Sequence, residues 1–128
     1  MKYFTLIFVT AISLTACKKS ELKKSMQGDW ELAAVTNMSG YKPYSPGNGN
    51  VLSFKSSSRY SRKENNVEVS KGDYSLENRT SCSKKETFIS LSDGYFNGLV
   101  VNIVEDSLLI FGNSSCVSDG TTTIYRVK

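Results

Sequence analysis

Few side chains in this 128-residue chain could do covalent chemistry. Three are cysteines, Cys17, Cys82 and Cys116, and there is no histidine. That absence removes the commonest general base and the commonest metal ligand. Four carboxylates, Asp73, Glu77, Glu105 and Asp106, could pair for acid–base work. They stand at turns of short apolar segments, where carboxylates are usually solvated, and no second motif accompanies them. A calcium site is conceivable at an "SDG" turn, but no ligand series of the required spacing is present. The expectation is a non-enzyme without metal or cofactor, in which the cysteines carry the chemistry.

Cys17 ends an apolar run. Lys2 supplies a positive start, Tyr3 to Leu14 is the apolar stretch, and Ser13, Thr15 and Ala16 are small or weakly polar. This is the layout of a secretory signal peptide. A transmembrane helix is the other reading, but it needs about 20 apolar residues, and this run is nearer 12. Leu14-Thr15-Ala16-Cys17 resembles the lipobox of bacterial lipoproteins. That resemblance implies removal of 1–16 and acylation of Cys17, which becomes the first residue of the mature chain. A plain signal peptide with an incidental cysteine is the alternative. Acyl chains contribute about 0.8 kcal/mol per buried methylene, so they anchor a chain with no membrane-spanning helix. In such lipoproteins an Asp after the cysteine signals inner-membrane retention. Lys18 stands there instead, which implies the outer membrane, facing either the periplasm or the surface. Residues 17–27 are then a lipidated tether, read as a flexible spacer with a helical turn as the alternative, and 28–128 are the folded domain.

With Cys17 acylated, Cys82 and Cys116 remain in an exported domain. Two such cysteines read as a disulfide, which would contribute about 3–4 kcal/mol in the chain-entropy model. A thiol nucleophile or metal pair is the other reading. Ser81-Cys82-Ser83-Lys84 resembles the Ser-x-x-Lys of penicillin-recognising enzymes, a chemistry that needs a helix start and a far larger domain.

The net charge of +4 invites a nucleic-acid reading. Its distribution argues against one. Lys2 leaves with the signal, and Lys18, Lys19, Lys23 and Lys24 against Glu21 put about +3 on the tether, where lipid head groups are in reach. From Gly28 onward, 11 basic residues balance 11 acidic ones. The cluster Arg59 to Lys63 ("RYSRK") reads either as one solvated strand face or as a binding patch.

The elements behind these residues are strands. Short β-branched and aromatic runs are punctuated by Gly, Asn, Asp and Ser. The pattern predicts eight strands: 29–37, 51–55, 59–63, 67–70 running on or breaking into 72–77, 86–91, 98–104, 107–111 and 121–127. Alternation puts Trp30, Leu32 and Ala34 on one face, with Leu52 and Phe54, Tyr74 and Leu76, Ile89 and Leu91, and Tyr125 and Val127 on the same side. Closure into a barrel removes the exposed edges. A strict meander, however, places Cys82 and Cys116 at opposite ends. Their bridge then needs an extra short strand, a long crossing loop or a different element count.

Gly28-Asp29-Trp30 is similar to the Gly-x-Trp that opens the first strand of lipocalins. "VLSFKSSSRYSR", "KGDYSL", "LVVNIVEDSLLI" and "DGTTTIYRVK" resemble successive hairpins and the closing strand of small bacterial lipocalin-like lipoproteins. The resemblance spans nearly all of 28–128. It implies an all-β, eight-stranded up-and-down barrel, closed at one end by Trp30, with Arg126 over it as a cation–π partner. The inward phase of Tyr125 and Val127 would instead turn Arg126 outward. The resemblance also implies a monomeric binding module for a small apolar or amphipathic ligand. The alternative is a solid barrel whose loops contact an envelope or host protein, such as a lysozyme-like enzyme. Inhibitors of that kind carry Ser-Gly before Tyr, which Lys71 interrupts here. Tyr41 and Tyr44, in the segment 40–50 ("GYKPYSPGNGN"), are the candidate contact residues. An ordinary ordered hairpin loop is the other reading of that segment.

Overall fold

The computed structural model describes residues 13–117 and 120–128. Most of the apolar run before Cys17 lies outside these residues, as do positions 118 and 119 of the last turn. Helix α1, Ser13–Met26, precedes nine strands among the described residues. They are β1 Gly28–Asn37, β2 Gly40–Pro43, β3 Val51–Phe54, β4 Arg59–Glu64, β5 Val67–Ser81, β6 Lys84–Leu91, β7 Asn97–Val104, β8 Leu108–Gly112 and β9 Thr122–Val127. β1 and β3 to β9 form an antiparallel barrel of eight strands in sequence order, closed by β1 against β9. The expected up-and-down barrel is therefore the observed architecture. β2 is additional and pairs with the far half of β1.

Local chemistry explains the meander. The turns at Asn65–Asn66, Cys82–Ser83 and Glu105–Asp106 have both central residues at positive φ. Such turns match the right-handed twist of the strands they join. Inward positions then fill the barrel. Leu52, Ile89, Leu109 and Phe111 are completely buried, and the aromatic rings of Phe54, Tyr74, Phe96, Phe111 and Tyr125 contact one another in pairs. The interior is thus occupied by the chain's own side chains.

The structure departs from the sequence reading in four places. The tether is not a flexible spacer: α1 docks on one end of the barrel, with Met26 fully buried and Leu22 against the core. Ala34 does not share a face with Trp30 and Leu32. A bulge at Ala33 pairs Leu32 with Tyr125 but Ala34 with Ile124, which moves Ala34 to the outer face. β5 runs on unbroken, which is one of the two readings of 67–77, but it continues past Glu77 to Ser81. Val127, expected inward beside Tyr125, ends β9 in an exposed position.

The cysteine geometry follows from the third departure and a crossing loop. Cys82 sits in the β5–β6 turn, and the chain after β8 leaves from Gly112, opposite Val100 on β7. It then returns over the outer face of β7 and β6. Ser115 N donates to the Glu86 carboxylate (3.3 Å), and Ser115 Oγ donates to Ser81 O (3.2 Å). This brings Cys116 to Cys82 with Cα atoms 5.5 Å apart, and the two form a disulfide. Phe88 and Val100 face outward yet are only 7% and 6% exposed. The Arg79 guanidinium stacks over the Phe88 ring at 3.9 Å, and Ser115 of the returning loop reaches Glu86, two residues before Phe88.

Candidate functional site

The barrel has two ends of different chemistry. At the first, Trp30 is buried and its Nε1 donates to Met26 O (2.7 Å), so the indole fixes the end of α1 against the core. Lys23 reaches Ser58 Oγ and stands 5.9 Å from the Tyr74 ring. A groove of about 340 Å³ runs between α1 and the β6–β7 side with the β7–β8 turn, lined by Glu21, Leu22, Val101, Ile103 and Asp106 among others.

The second end is the mouth, closed by polar groups. Register places Tyr60 opposite Phe54 and Arg62 opposite Leu52, so Arg62 points inward. Its guanidinium lies 2.6 Å from Glu64 Oε1, 3.6 Å from Asp93 Oδ2 and 3.8 Å from the centre of the Tyr95 ring. The loop 92–96 supplies Asp93 and Tyr95 and folds into the mouth. Phe96 stacks on Phe111 with ring centres 4.3 Å apart, so the loop is a plug as well as a rim. Asp93 N donates to Tyr60 Oη (3.3 Å), and Tyr95 N donates to the Asp93 carboxylate (2.9 Å). The plug needs Gly72. A Cβ there would meet Ser92 Oγ at 2.2 Å, while that same hydroxyl accepts from Asp73 N (3.1 Å).

Burial raises the pKa of Asp93, but hydrogen bonds from Ser70, Tyr95 N–H and Tyr60, with the charge of Arg62, outweigh it and hold the carboxyl below its ordinary value. Burial pushes the hydroxyls of Tyr125 and Tyr74 upward, which keeps both protonated. What remains of the mouth is a cleft of about 210 Å³ between Leu32, Tyr44, Arg62, Glu64, Tyr95 and Tyr125. It can accept a small group beside Arg62, which contacts Glu64 and Asp93 but leaves its buried Nε without a partner, and beside the exposed Lys63.

The other residues singled out in the sequence disperse. Arg126 does not cover Trp30. It lies on the outer face of β9 and donates to the carbonyls of Leu32 (3.4 Å) and Tyr44. The segment 40–50 is an ordered element: β2, then a loop packed on β1. Tyr44 N donates to Ala33 O (2.9 Å), and Gly47 N donates to the buried carboxylate of Glu31 (2.7 Å). Tyr41 is exposed on β2, while Tyr44 lines the mouth. Asp73 pairs with Arg59 at 3.4 Å and Glu77 with Arg79 at 3.5 Å, while Glu105 and Asp106 form the β7–β8 turn. No acid–base pair forms from these four. Ser81 and Lys84 face each other across a strand turn, not along a helix. Among the described residues no cluster of metal-ligating side chains occurs.

Gly72, Asp93 and Tyr95 were not singled out from sequence, and Arg62 entered only within the cluster Arg59 to Lys63, as a solvated face or a binding patch and not as an inward residue. The one signal was the alternation of β4, which makes Arg62 share a face with Tyr60. Compared with protein-family models, with curated proteins and with solved structures, the chain matches none.

Proposed function

We propose that this chain is a non-catalytic lipoprotein of the cell envelope, whose filled, lipocalin-like barrel acts through its outer surface on a protein partner. The occupied interior carries this reading: the rings of Phe54, Tyr74, Phe96 and Phe111 stand where a carrier would hold its ligand. The lipobox-like Leu14-Thr15-Ala16-Cys17 supports acylation at Cys17 and an outer-membrane anchor. Docking of α1 on the barrel would then hold the domain within one helix length of the lipid. The segment Ser70 to Tyr74 lies within β5 and offers no projecting loop to a lysozyme cleft, so that variant draws no support from geometry.

A small amphipathic ligand is the second reading, favoured by the tyrosine-lined cleft at the mouth. Native mass spectrometry separates the two. The chain from residue 17 onward, carrying Cys17→Ser, is purified without detergent. The filled-barrel reading expects the bare mass, less two hydrogen atoms for the disulfide. A stoichiometric excess mass released on denaturation overturns it in favour of a carrier. Metabolic acyl labelling of the full chain tests the anchor: label lost in Cys17→Ser supports it, and no label on the parent overturns it.

A further inference from the structure

β5 has 15 residues and outruns both neighbours. β4 pairs with it only as far as Asp73, and β6 takes over from Tyr74 on the opposite edge. Past the point where Tyr74 N donates to Ser58 O (2.9 Å), no described strand pairs with the β4-side edge of β5. The phase decides which backbone groups face that edge. The two-residue turn Cys82–Ser83 makes Ser81 and Lys84 a hydrogen-bonded pair, so the odd-numbered residues of this half turn their amides to β6. Ser92 N donating to Asp73 O fixes the same phase from the other end. Leu76, Asn78 and Thr80 therefore direct both N–H and C=O at this edge; Leu76 is buried and α1 contacts β5, whereas Asn78 and Thr80 are solvent-exposed.

Side chains on the outer face mark what fits there. Glu77 and Arg79 flank Asn78 with opposite charges, and stacking on Phe88 holds Arg79 in place. An antiparallel copy of the same edge, related by a two-fold axis at Asn78, sets Glu77 opposite the second copy's Arg79 and Arg79 opposite its Glu77. We propose that this edge is a homodimer interface, formed by two-fold pairing of residues 76–80 with the same residues of a second copy. Unpaired strand edges are templates for such pairing, and opposite charges across strands favour it. The sequence reading expects a monomer instead. The Ser58 turn and the Cys82–Ser83 turn bound the edge, so the contact is short and the affinity modest.

Sedimentation equilibrium of the Cys17→Ser chain from residue 17 onward, taken to the millimolar range, tests it. A reversible monomer–dimer equilibrium is expected. Asn78→Pro deletes an N–H that faces away from β6, so it keeps the β5–β6 ladder and gives a monomer; because it also removes the acceptor of Thr87 Oγ1 (2.8 Å), Asn78→Ala is the control that loses that bond and stays dimeric. Glu77→Arg weakens association by about tenfold, and Glu77→Arg combined with Arg79→Glu restores it, because the pairing stays complementary. A parent that is monomeric throughout the range overturns the proposal. So does a dimer that neither Asn78→Pro nor Glu77→Arg weakens.

Discussion

At the α1 end, Trp30 and Met26 are 3% and 0% exposed, and the indole N–H has its carbonyl. At the mouth, Arg62, Glu64, Asp93 and Tyr95 do the equivalent work with charge and a stacked ring, above the apolar plug Phe96. One seal excludes water by area, and the other by partners that water can replace. The apolar end should therefore respond to truncation and ignore salt. The mouth should tolerate truncation better and respond to ionic strength and pH.

The largest expected effect tests the apolar seal. Trp30→Ala removes a buried aromatic side chain and should destabilise the fold by about 3–5 kcal/mol in denaturant titration. Arg62→Met, at the mouth, should cost about 1 kcal/mol, because its carboxylate partners keep access to water. Equal losses would end the distinction between the ends. Next in size is the staple that belongs to neither. Replacing Cys82 and Cys116 together by Ser should cost about 3–4 kcal/mol, read from the same titration. It should also expose Phe88 to solvent, since the returning loop loses its tie to the β5–β6 turn. Gly72→Ala follows at about 1–3 kcal/mol, the usual cost of overpacking. Its Cβ displaces Ser92 and so lifts the plug from the mouth. Ser92→Gly in the same chain should recover part of the loss, and a double-mutant cycle measures that coupling.

The same contrast explains how much was legible beforehand. Strands that line the core announce themselves, because a half-buried strand must alternate; Leu52 with Phe54 and Tyr74 with Leu76 do so plainly. The cysteine pair was legible from its count. The rest lacked a pattern for physical reasons. α1 seals its end with Leu22 and Met26 among lysines and serines, too few apolar residues to show a helical period. β5 beyond Leu76 projects past the core, so Asn78 to Ser81 have nothing apolar to alternate with. The bulge at Ala33 has no marker residue. The mouth cluster joins β4 to a loop about thirty residues later, and the inward Arg62 breaks the rule that inward positions are apolar.

The smallest effect separates the ends by protonation. Asp93 has a folded pKa below its unfolded value, so the folded state binds fewer protons than the unfolded one around that range. Its contribution is fully present above the unfolded pKa of about 4 and disappears as pH falls through the lower folded value. Asp93→Asn cannot titrate. It should lose a little stability at neutral pH, under about 1 kcal/mol, with the Arg62 pairing. It should then show a shallower decline than the parent below about pH 4, where the two curves converge. Trp30→Phe is the matched control at the other end: lower stability throughout, with the parental acid slope, since no titrating group is altered. If Asp93→Asn keeps the parental slope as well, the acid response arises elsewhere, and the mouth is held by its ring stacking rather than by its charges.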